Sequence, residues 1–256
     1  MVKGLYTAYT GMINEQHRMD VLTNNLANAS TVGFKKEGAT SQAFDEVLAL
    51  KIKDTTDAVK VKPLGGISLG VKIGENYTDY SQGSLRETGN TYDIALSGTG
   101  FFSVEFKNKA GQTSTKYTRD GNFTLNKDGY LVTKDGDFVL GKNGRIKLDP
   151  LQTSVIDKMG RIYQNDSLVA TLDIVDFEDY NYLEHYGENY YQPVDGAREK
   201  NGDYQTLSGY LEMSNMQVVS EMVEMISVSR AYETNQKIVQ TYDSTLEIAA
   251  NQIGKI

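Results

Sequence analysis

The sequence predicts an α+β fold, in which N- and C-terminal helices form a coiled-coil-like assembly domain and flank a central antiparallel β domain. Two observations lead to this prediction. An apolar residue recurs at every seventh position near both ends of the chain, and turn-forming dipeptides recur through the middle. A period of seven predicts helices that each present one stripe of side chains to other helices. This layout favours an assembly subunit over an enzyme built around a pocket.

Composition narrows the classes of function. The chain has 256 residues, enough for a real core, and a formal net charge of -8. Lys and Arg form no cluster that could neutralise phosphates, so we expect no nucleic-acid partner. Cysteine is absent and only two histidines occur, which leaves neither a disulfide framework nor a multi-histidine metal site. We therefore expect no metal and no cofactor.

The N-terminal sequence bears on localisation. No run approaches the roughly 18 apolar residues of a membrane span, so we expect no direct membrane insertion. Residues 1–19 are interrupted by polar and charged side chains and do not have the pattern of a cleavable signal peptide. The sequence predicts a protein that is cytosolic or leaves by a route that reads no such signal.

The first predicted segment, 1–36, contains a helix over about 3–29. Its heptad stripe consists of Leu5, Met12, Met19 and Leu26. Three asparagines, Asn24, Asn25 and Asn28, stand near its end. They are explained equally well as residues that cap the helix end and as buried hydrogen-bonding residues that fix helix register. Residues 37–80 are expected to form a linker or extended segment.

The β-rich domain is predicted over 81–210. Four dipeptides separate short alternating runs, namely Asp120-Gly121, Asp128-Gly129, Asp135-Gly136 and Asn143-Gly144. Such dipeptides favour tight hairpin turns and indicate an antiparallel meander that is closed or sandwiched to protect its edges. A second strand pair is expected at 161–164 and 168–177, and residues 178–210 are expected to be irregular.

The C-terminal assembly helix is predicted within 211–256. Ser214 followed by Gln217 matches a capping box, so the helix is expected to run over 215–253. Its heptad stripe consists of Val218, Met225, Tyr232, Val239, Leu246 and Ile253. Met222 lies beside this stripe and widens it. A broad apolar face favours contact with several neighbours.

One motif suggests an enzyme. Residues 66–70 match the G-x-S-x-G pattern with Ser68 as nucleophile, but that pattern requires a strand, a turn and then a helix. Here a Pro-Leu-Gly-Gly break precedes it and an alternating stretch follows. We therefore expect no catalytic residue. Four further polar residues suggest a calcium loop without its spacing, and are better explained as turn residues: Asn126, Asp128, Asp135 and Asp137.

Three regions resemble one protein family in chain order. The first holds Gly4-Leu5-Tyr6-Thr7-Ala8, the run from Met19 to Asn28 and Gly33-Phe34-Lys35; the second runs from Asp93 to Phe102 and continues at Tyr117-Thr118-Arg119-Asp120-Gly121. The third spans Leu211 to Asn235 and includes Ser214, Asn215, Arg230 and Tyr232. Together they closely resemble the bacterial flagellar rod and hook proteins over nearly the whole chain.

The resemblance implies a structural subunit, not an enzyme, with both terminal helices in the inner tube and the β domain facing outward. It implies partners in further copies of the chain within a helical rod, in other rod and hook subunits, and in the flagellar type III export apparatus. It also implies location in the basal body, after export through the flagellar channel to the cell envelope, and transmission of torque from motor to hook.

Within that family the chain resembles the distal rod members most. A proximal rod paralogue is the alternative, since it shares the same architecture at similar length. Two other classes stay open: a secreted adhesin or fibre-like protein, and a serine hydrolase acting through Ser68.

Overall fold

The computed structural model describes residues 2–52, 61–108, 111–187 and 189–253. It confirms the α+β class, with a helix at each end and an antiparallel β-rich body. The chain divides into two compact units. The first consists of Met1–Ala27, Glu37–Asp79 and Gln217–Ile256, and the second of Asn28–Lys36 and Tyr80–Met216.

The first unit contains the two long helices and four strands. Its elements are α1 (Val2–Ala27), α2 (Val218–Ile248) with a π-helical continuation at Ala249–Ile253, β1 (Glu37–Ala43), β2 (Val47–Ile52), β3 (Val61–Ile67) and β4 (Val71–Thr78). β1 pairs with β4 and β2 with β3, both antiparallel. The segment predicted as a linker or extended segment thus contains paired strands. Asn14 of α1 donates to Ser41 of β1 at 2.9 Å, so the helix also contacts this ribbon.

The second helix begins later than its sequence pattern predicts. Its N-cap residue is Gln217, whose side chain makes no capping hydrogen bond, and helical structure starts at Val218. The predicted capping box at Ser214 is therefore wrong. The reason is that the preceding chain is already engaged, because Leu211 and Glu212 lie in a strand and the Asn215 side chain accepts from the Lys36 amide.

The second unit is almost entirely β. Its strands are β5 (Leu85–Glu87), β6 (Ile94–Gly98), β7 (Phe101–Lys107), β8 (Thr113–Thr118), β9 (Phe123–Leu125), β10 (Leu131–Thr133), β11 (Phe138–Gly141), β12 (Gly144–Arg145), β13 (Ser154–Ile156), β14 (Arg161–Gln164), β15 (Ser167–Thr171), β16 (Ile174–Phe177), β17 (Leu183–Tyr186), β18 (Tyr190–Pro193), β19 (Glu199–Lys200), β20 (Tyr204–Ser208) and β21 (Tyr210–Glu212), with a 3₁₀ turn at Tyr180–Tyr182.

The main sheet has the order β17-β18-β8-β7-β11-β10-β9, with β12 on β11 and β16 on β7. A smaller sheet has the order β13-β14-β15, and the pairs β20-β6 and β21-β5 complete the unit. Every pairing between these strands is antiparallel.

Three of the four turn dipeptides lie where they are predicted, joining β9 to β10, β10 to β11 and β11 to β12. Asp120-Gly121 does not form a hairpin, because β8 pairs with β7 and β18, and the Gly121 carbonyl accepts from Ile94 of β6. The prediction of irregular structure over 178–210 is also wrong, since β17 to β20 lie there. These strands are polar and rich in tyrosine, so a search for alternating aliphatic residues does not detect them.

Two side-chain clusters form the core of this unit. The first is aliphatic with two phenylalanines, and its fully buried members include Ile94, Leu96, Phe102, Phe123, Leu131, Val139, Ile162 and Leu172. The second is aromatic and is built from Phe101, Tyr117, Phe177, Leu183 and Tyr191. The adjacent residues Phe101 and Phe102 of β7 belong to different clusters, as expected for neighbours that point to opposite faces of a strand.

Candidate assembly site

The terminal helices pack against each other in antiparallel register. Gly4 lies against Tyr242 and Gly11 against Asn235, while Arg18 pairs with Glu224 at 3.1 Å and Asn25 with Glu221 at 3.3 Å. Each step of seven residues forward along α1 is thus matched by a step back along α2. The α1 contact residues recur every seven positions, and Tyr242, Asn235 and Glu221 of α2 fit the same period, whereas Glu224 does not.

Small residues on α1 make this close contact possible. A Cβ atom at Gly4 would lie 2.8 Å from Cζ of Tyr242, and one at Gly11 would lie 3.0 Å from the Asn235 amide nitrogen. The first distance is shorter than van der Waals contact allows. The helices can therefore approach in this register because α1 has no side chain at these two positions.

The predicted heptad stripes lie beside this contact row. Leu5, Met12, Met19 and Leu26 of α1 are half-buried, and so are Met225, Tyr232 and Val239 of α2. Val218, Met222 and Leu246 are exposed, and the Ile253 side chain lies outside the described residues. The contact row itself was missed by the sequence pattern, since glycine, arginine and asparagine occupy it on α1.

Asn25 fixes the end of α1 within this unit. It is fully buried, its amide nitrogen donates to the Glu37 carbonyl at 2.8 Å, and its amide oxygen accepts from the Glu37 backbone N–H at 3.0 Å. The same amide nitrogen lies 3.3 Å from the buried Glu221 carboxylate. One side chain thus joins α1, β1 and α2. Of the other two asparagines, Asn24 is exposed and Asn28 is half-buried.

The open faces of both helices carry apolar side chains. Tyr6, Tyr9 and Ile13 on α1 are between 37% and 49% exposed. On α2 eight apolar side chains are between 40% and 75% exposed, namely Val218, Val219, Met222, Val223 and Ile226 near its start and Ile238, Leu246 and Ile248 further along. Clustered exposed apolar surface of this kind marks an interaction site.

The second unit contains a buried ionic cluster at the predicted family motif. The ammonium of Lys35 lies 2.6 Å from the Glu212 carboxylate, and the Arg119 guanidinium lies 3.3 Å from its other oxygen. All three side chains are at most 4% exposed. The Gly83 backbone N–H also donates to Glu212. A buried carboxylate with two cations and a backbone donor is well compensated for its loss of hydration.

Gly33 allows its chain segment to pack closely against the backbone that follows β8. Its φ of +70° is in the left-handed region, and a Cβ there would lie 2.5 Å from the Arg119 carbonyl carbon. Its N–H donates to the Glu212 carbonyl at 2.7 Å, and the neighbouring Phe34 is buried. Glu212 and Arg119 were not predicted as site residues. Only the buried contact between residues distant in sequence reveals them.

The remaining motif residues are divided between the units. Ser214 is buried and Asn215 half-buried in the second unit, where Asn215 donates to Ser81. In the first unit Arg230 is exposed and Tyr232 half-buried. The predicted motif residues therefore belong to both units.

Ser68 has a strand on either side. It lies between β3 and β4, and its hydroxyl donates to the carbonyl oxygens of Phe44 and Gly70. The nucleophile motif requires a helix after the turn, so this context does not match it.

Among the described residues no group of three potential ligands from His, Cys, Asp and Glu is arranged to hold a metal ion. Asn126 accepts from the backbone N–H groups of Asp128 and Tyr130, as a turn residue does. In the described part of the chain, no helix is long and apolar enough to cross a membrane.

A helix pair with exposed apolar faces, joined in sequence to a β unit, is typical of a structural assembly subunit. Family models match three regions. Residues 5–35 match the flagella basal body rod protein model, 95–164 the flagellar hook protein FlgE/F/G D1 domain, and 207–253 the flagellar basal body rod FlgEFG protein C-terminal model.

Full-length relatives give the same result. The chain is 35% identical to the flagellar basal-body rod protein FlgG of Bacillus subtilis, covering 98% of this chain and 99% of that protein. It is 31% identical to FlgG of Buchnera aphidicola from Schizaphis graminum, with 96% and 98% covered, and 32% identical to FlgF of Caulobacter vibrioides over the full length of both. The chain belongs to the flagellar basal-body rod protein family and is a structural subunit of the rod.

Proposed function

We propose that the chain is the distal rod subunit, which assembles through its terminal helices into the axial tube that transmits torque from motor to hook. The observation that carries this proposal is the exposure of apolar side chains on the open faces of α1 and α2. Burying a fully exposed apolar side chain contributes about 1.5–3 kcal/mol, and each of these partly exposed side chains would contribute a corresponding fraction. Contacts with neighbouring copies, and with other rod and hook subunits, would bury them.

The β unit differs from the helix pair because it buries its own core and needs no partner to cover it. Its two side-chain clusters are buried, and the Lys35–Glu212–Arg119 cluster fixes three distant chain segments. We propose that this unit forms the outer part of the subunit while the helices form the tube wall. The same family relationship supports export through the flagellar type III channel to the cell envelope.

A proximal rod paralogue is the alternative within the family. Relatives named FlgG and FlgF match the chain at 31–35% and 32% identity, so identity does not separate the two. Contact with the hook protein would distinguish a distal from a proximal rod subunit. A photo-crosslinking residue on this chain should link a distal subunit to hook protein in isolated basal bodies, whereas a proximal subunit should link only to other rod or base components.

Deletion of the gene tests the proposal as a whole. We expect cells without the chain to be non-motile, with basal bodies that end before the hook, and the wild-type chain to restore both. Ser68→Ala should restore them equally well. Full motility in the deletion strain would contradict the rod function, and an adhesion or hydrolysis defect in its place would support one of the other two classes.

A further inference from the structure

The segments by which the chain enters and leaves the β unit come together at one place within that unit. The chain passes between the two units at four points, after residues 27, 36, 79 and 216. Near three of these points lie the segments 33–36, 80–84 and 212–216, which all belong to the β unit and contact the Lys35–Glu212–Arg119 cluster. Any force that passes along the chain between the units therefore enters the β unit close to this cluster.

Two of these segments form a fork. Strands β5 and β21 pair in antiparallel orientation, so the start of β5 lies beside the end of β21 at Glu212. Residues 80–84 and 213–216 thus leave the strand pair at the same end, and we call these two segments the fork. They remain bonded beyond the strands, because the Met213 N–H donates to the Ser84 carbonyl at 2.9 Å. A force that pulls the two segments apart would open the pair from this end, one contact at a time.

The third segment closes the fork by binding both of its sides. The Lys35 ammonium donates to the Glu212 carboxylate at 2.6 Å on one side and to the Ser81 carbonyl at 2.8 Å on the other. The Lys36 backbone N–H donates to the Asn215 side chain at 2.9 Å, and that side chain donates to the Ser81 hydroxyl at 3.0 Å. Opening the fork would therefore require these contacts to break together with the strand pair.

Arg119 attaches this arrangement to the body of the β unit. Its guanidinium lies 3.3 Å from Glu212 and donates to the Gly98 carbonyl of β6 at 2.8 Å, and the residue directly follows β8. Charge-assisted hydrogen bonds of this kind are about twice as strong as neutral ones. Separating the buried Lys35 from Glu212 would leave a charge without compensation, which is costly. The first step in opening the fork is therefore the most expensive one.

We propose that Lys35, Glu212 and Arg119 form a mechanical clamp, which keeps the fork closed when force passes along the chain between the two units. This inference rests on the proposed function, since the force is the torque that a rod subunit transmits. A clamp differs from a general contribution to stability, because it resists force in the direction that separates the two sides of the fork. The three residues are positioning residues in this role.

Pulling on single molecules in optical tweezers tests the clamp directly. Because the chain contains no cysteine, two introduced cysteines define where the handles attach. Asp79→Cys with Gln217→Cys loads the fork, and Leu151→Cys with Asp195→Cys loads the same unit elsewhere; all four positions are exposed. The purified full-length chain is held at constant force, and its dwell time before opening is measured for each pair of attachment points.

The test variant is Lys35→Met, which removes the ammonium and keeps an unbranched side chain. We expect it to shorten the dwell time at the fork at least about tenfold, since it removes one partner of a buried ion pair. The dwell time at the second pair of attachment points should stay nearly unchanged. The matched control is Lys200→Met, at a lysine of the same unit that pairs with buried Asp176 outside the fork. It should leave the dwell time at the fork unchanged.

Two results overturn the clamp. Equal dwell times at the fork for the wild type and Lys35→Met would show that the cluster carries no force there. Equal shortening at both pairs of attachment points would show that it contributes only general stability. If thermal unfolding shows that Lys35→Met does not fold, Asn215→Ala at a half-buried residue removes other contacts that close the fork. The same dependence on direction is expected for it.

Swimming under load extends the test to cells. A strain with Lys35→Met as its only copy should swim in dilute buffer and stop in a viscous medium in which the wild type still swims, because viscosity raises the torque on the rod. Equal swimming of the two strains in that medium would overturn the role of the clamp. Absence of even the wild-type chain from basal bodies would instead reject the rod function, and the result of pulling on single molecules would stand apart from it.

Discussion

The side-chain amide of Asn25 lies 3.3 Å from the carboxylate of Glu221, and both residues are buried where the end of α1 meets the beginning of α2. The same asparagine makes two hydrogen bonds to the backbone of Glu37. Of the two interpretations of the asparagines, the structure shows a buried hydrogen-bonding role for Asn25 within a single chain. Its contact with Glu221 lies in the same antiparallel register as the contact of Gly4 with Tyr242.

Replacing Asn25 should loosen this end of the helix pair. Asn25→Ala leaves the Glu37 backbone groups without their partner and should cost roughly 1–3 kcal/mol. Amide exchange at Glu37, with urea unfolding of the same sample, measures the effect. Asn24→Ala, at the exposed neighbour, should change stability by less than about 0.5 kcal/mol. Unchanged protection of the Glu37 amide in Asn25→Ala would contradict this account.

The ionic cluster of the second unit should be sensitive to loss of its anion. Glu212→Gln keeps the shape of the side chain but removes the charge that compensates Lys35 and Arg119. Breaking a buried pair in this way costs about 3–5 kcal/mol. The matched control is Glu105→Gln at the partly exposed pair with Arg145, which should cost less than about 1 kcal/mol. Equal urea midpoints for the two variants would show that burial does not strengthen the cluster.

Gly33 is expected to tolerate no side chain. Gly33→Ala combines a left-handed φ with a Cβ that would overlap the Arg119 backbone. Gly136 has a φ of +90° but open space around its Cα, so Gly136→Ala carries the conformational cost alone. That cost is about 1 kcal/mol or more. Thermal unfolding should show a clearly larger loss for Gly33→Ala, and equal losses would mean that the close approach is unimportant.

Alkaline pH should destabilise the second unit through Tyr117. Burial, and then the neighbouring Glu199 carboxylate, which accepts the Tyr117 hydroxyl, raise the pKa of this phenol in the folded chain. The unfolded chain therefore loses the proton first, so stability is fully retained below about pH 10 and falls as pH rises above it. Tyr117→Phe should make that fall shallower. A slope between pH 9 and 11.5 that is the same in both proteins would contradict this assignment.

The sequence predicted the helices and most hairpins because their signals are local. Heptad spacing placed α1 and α2, and Asp128-Gly129 and Asp135-Gly136 lie between paired strands as expected. The predicted cap at Ser214 does not form, because residues far away in sequence hold the neighbouring Glu212 in a strand. The Lys35–Glu212 pair spans 177 positions, and the contacts of Gly4 and Gly11 involve residues without side chains. Neither the ion pair nor the glycine contacts produce a periodic pattern in the sequence, so these contacts are visible only in the folded chain.

If the open faces of the terminal helices build the rod, a charge introduced on one of them should prevent incorporation without unfolding the chain, and one pair of substitutions tests this. Val223→Asp places a carboxylate among the exposed apolar side chains at the start of α2, where assembly would bury it, whereas Gln240→Asp changes an exposed polar residue of the same helix. Basal bodies are isolated from strains that carry each variant as the only copy, and their content of the chain is measured beside the melting temperature of the purified protein. We predict that Val223→Asp melts like the wild type yet is missing from basal bodies, while Gln240→Asp is incorporated. Normal incorporation of Val223→Asp in motile cells would contradict the claim.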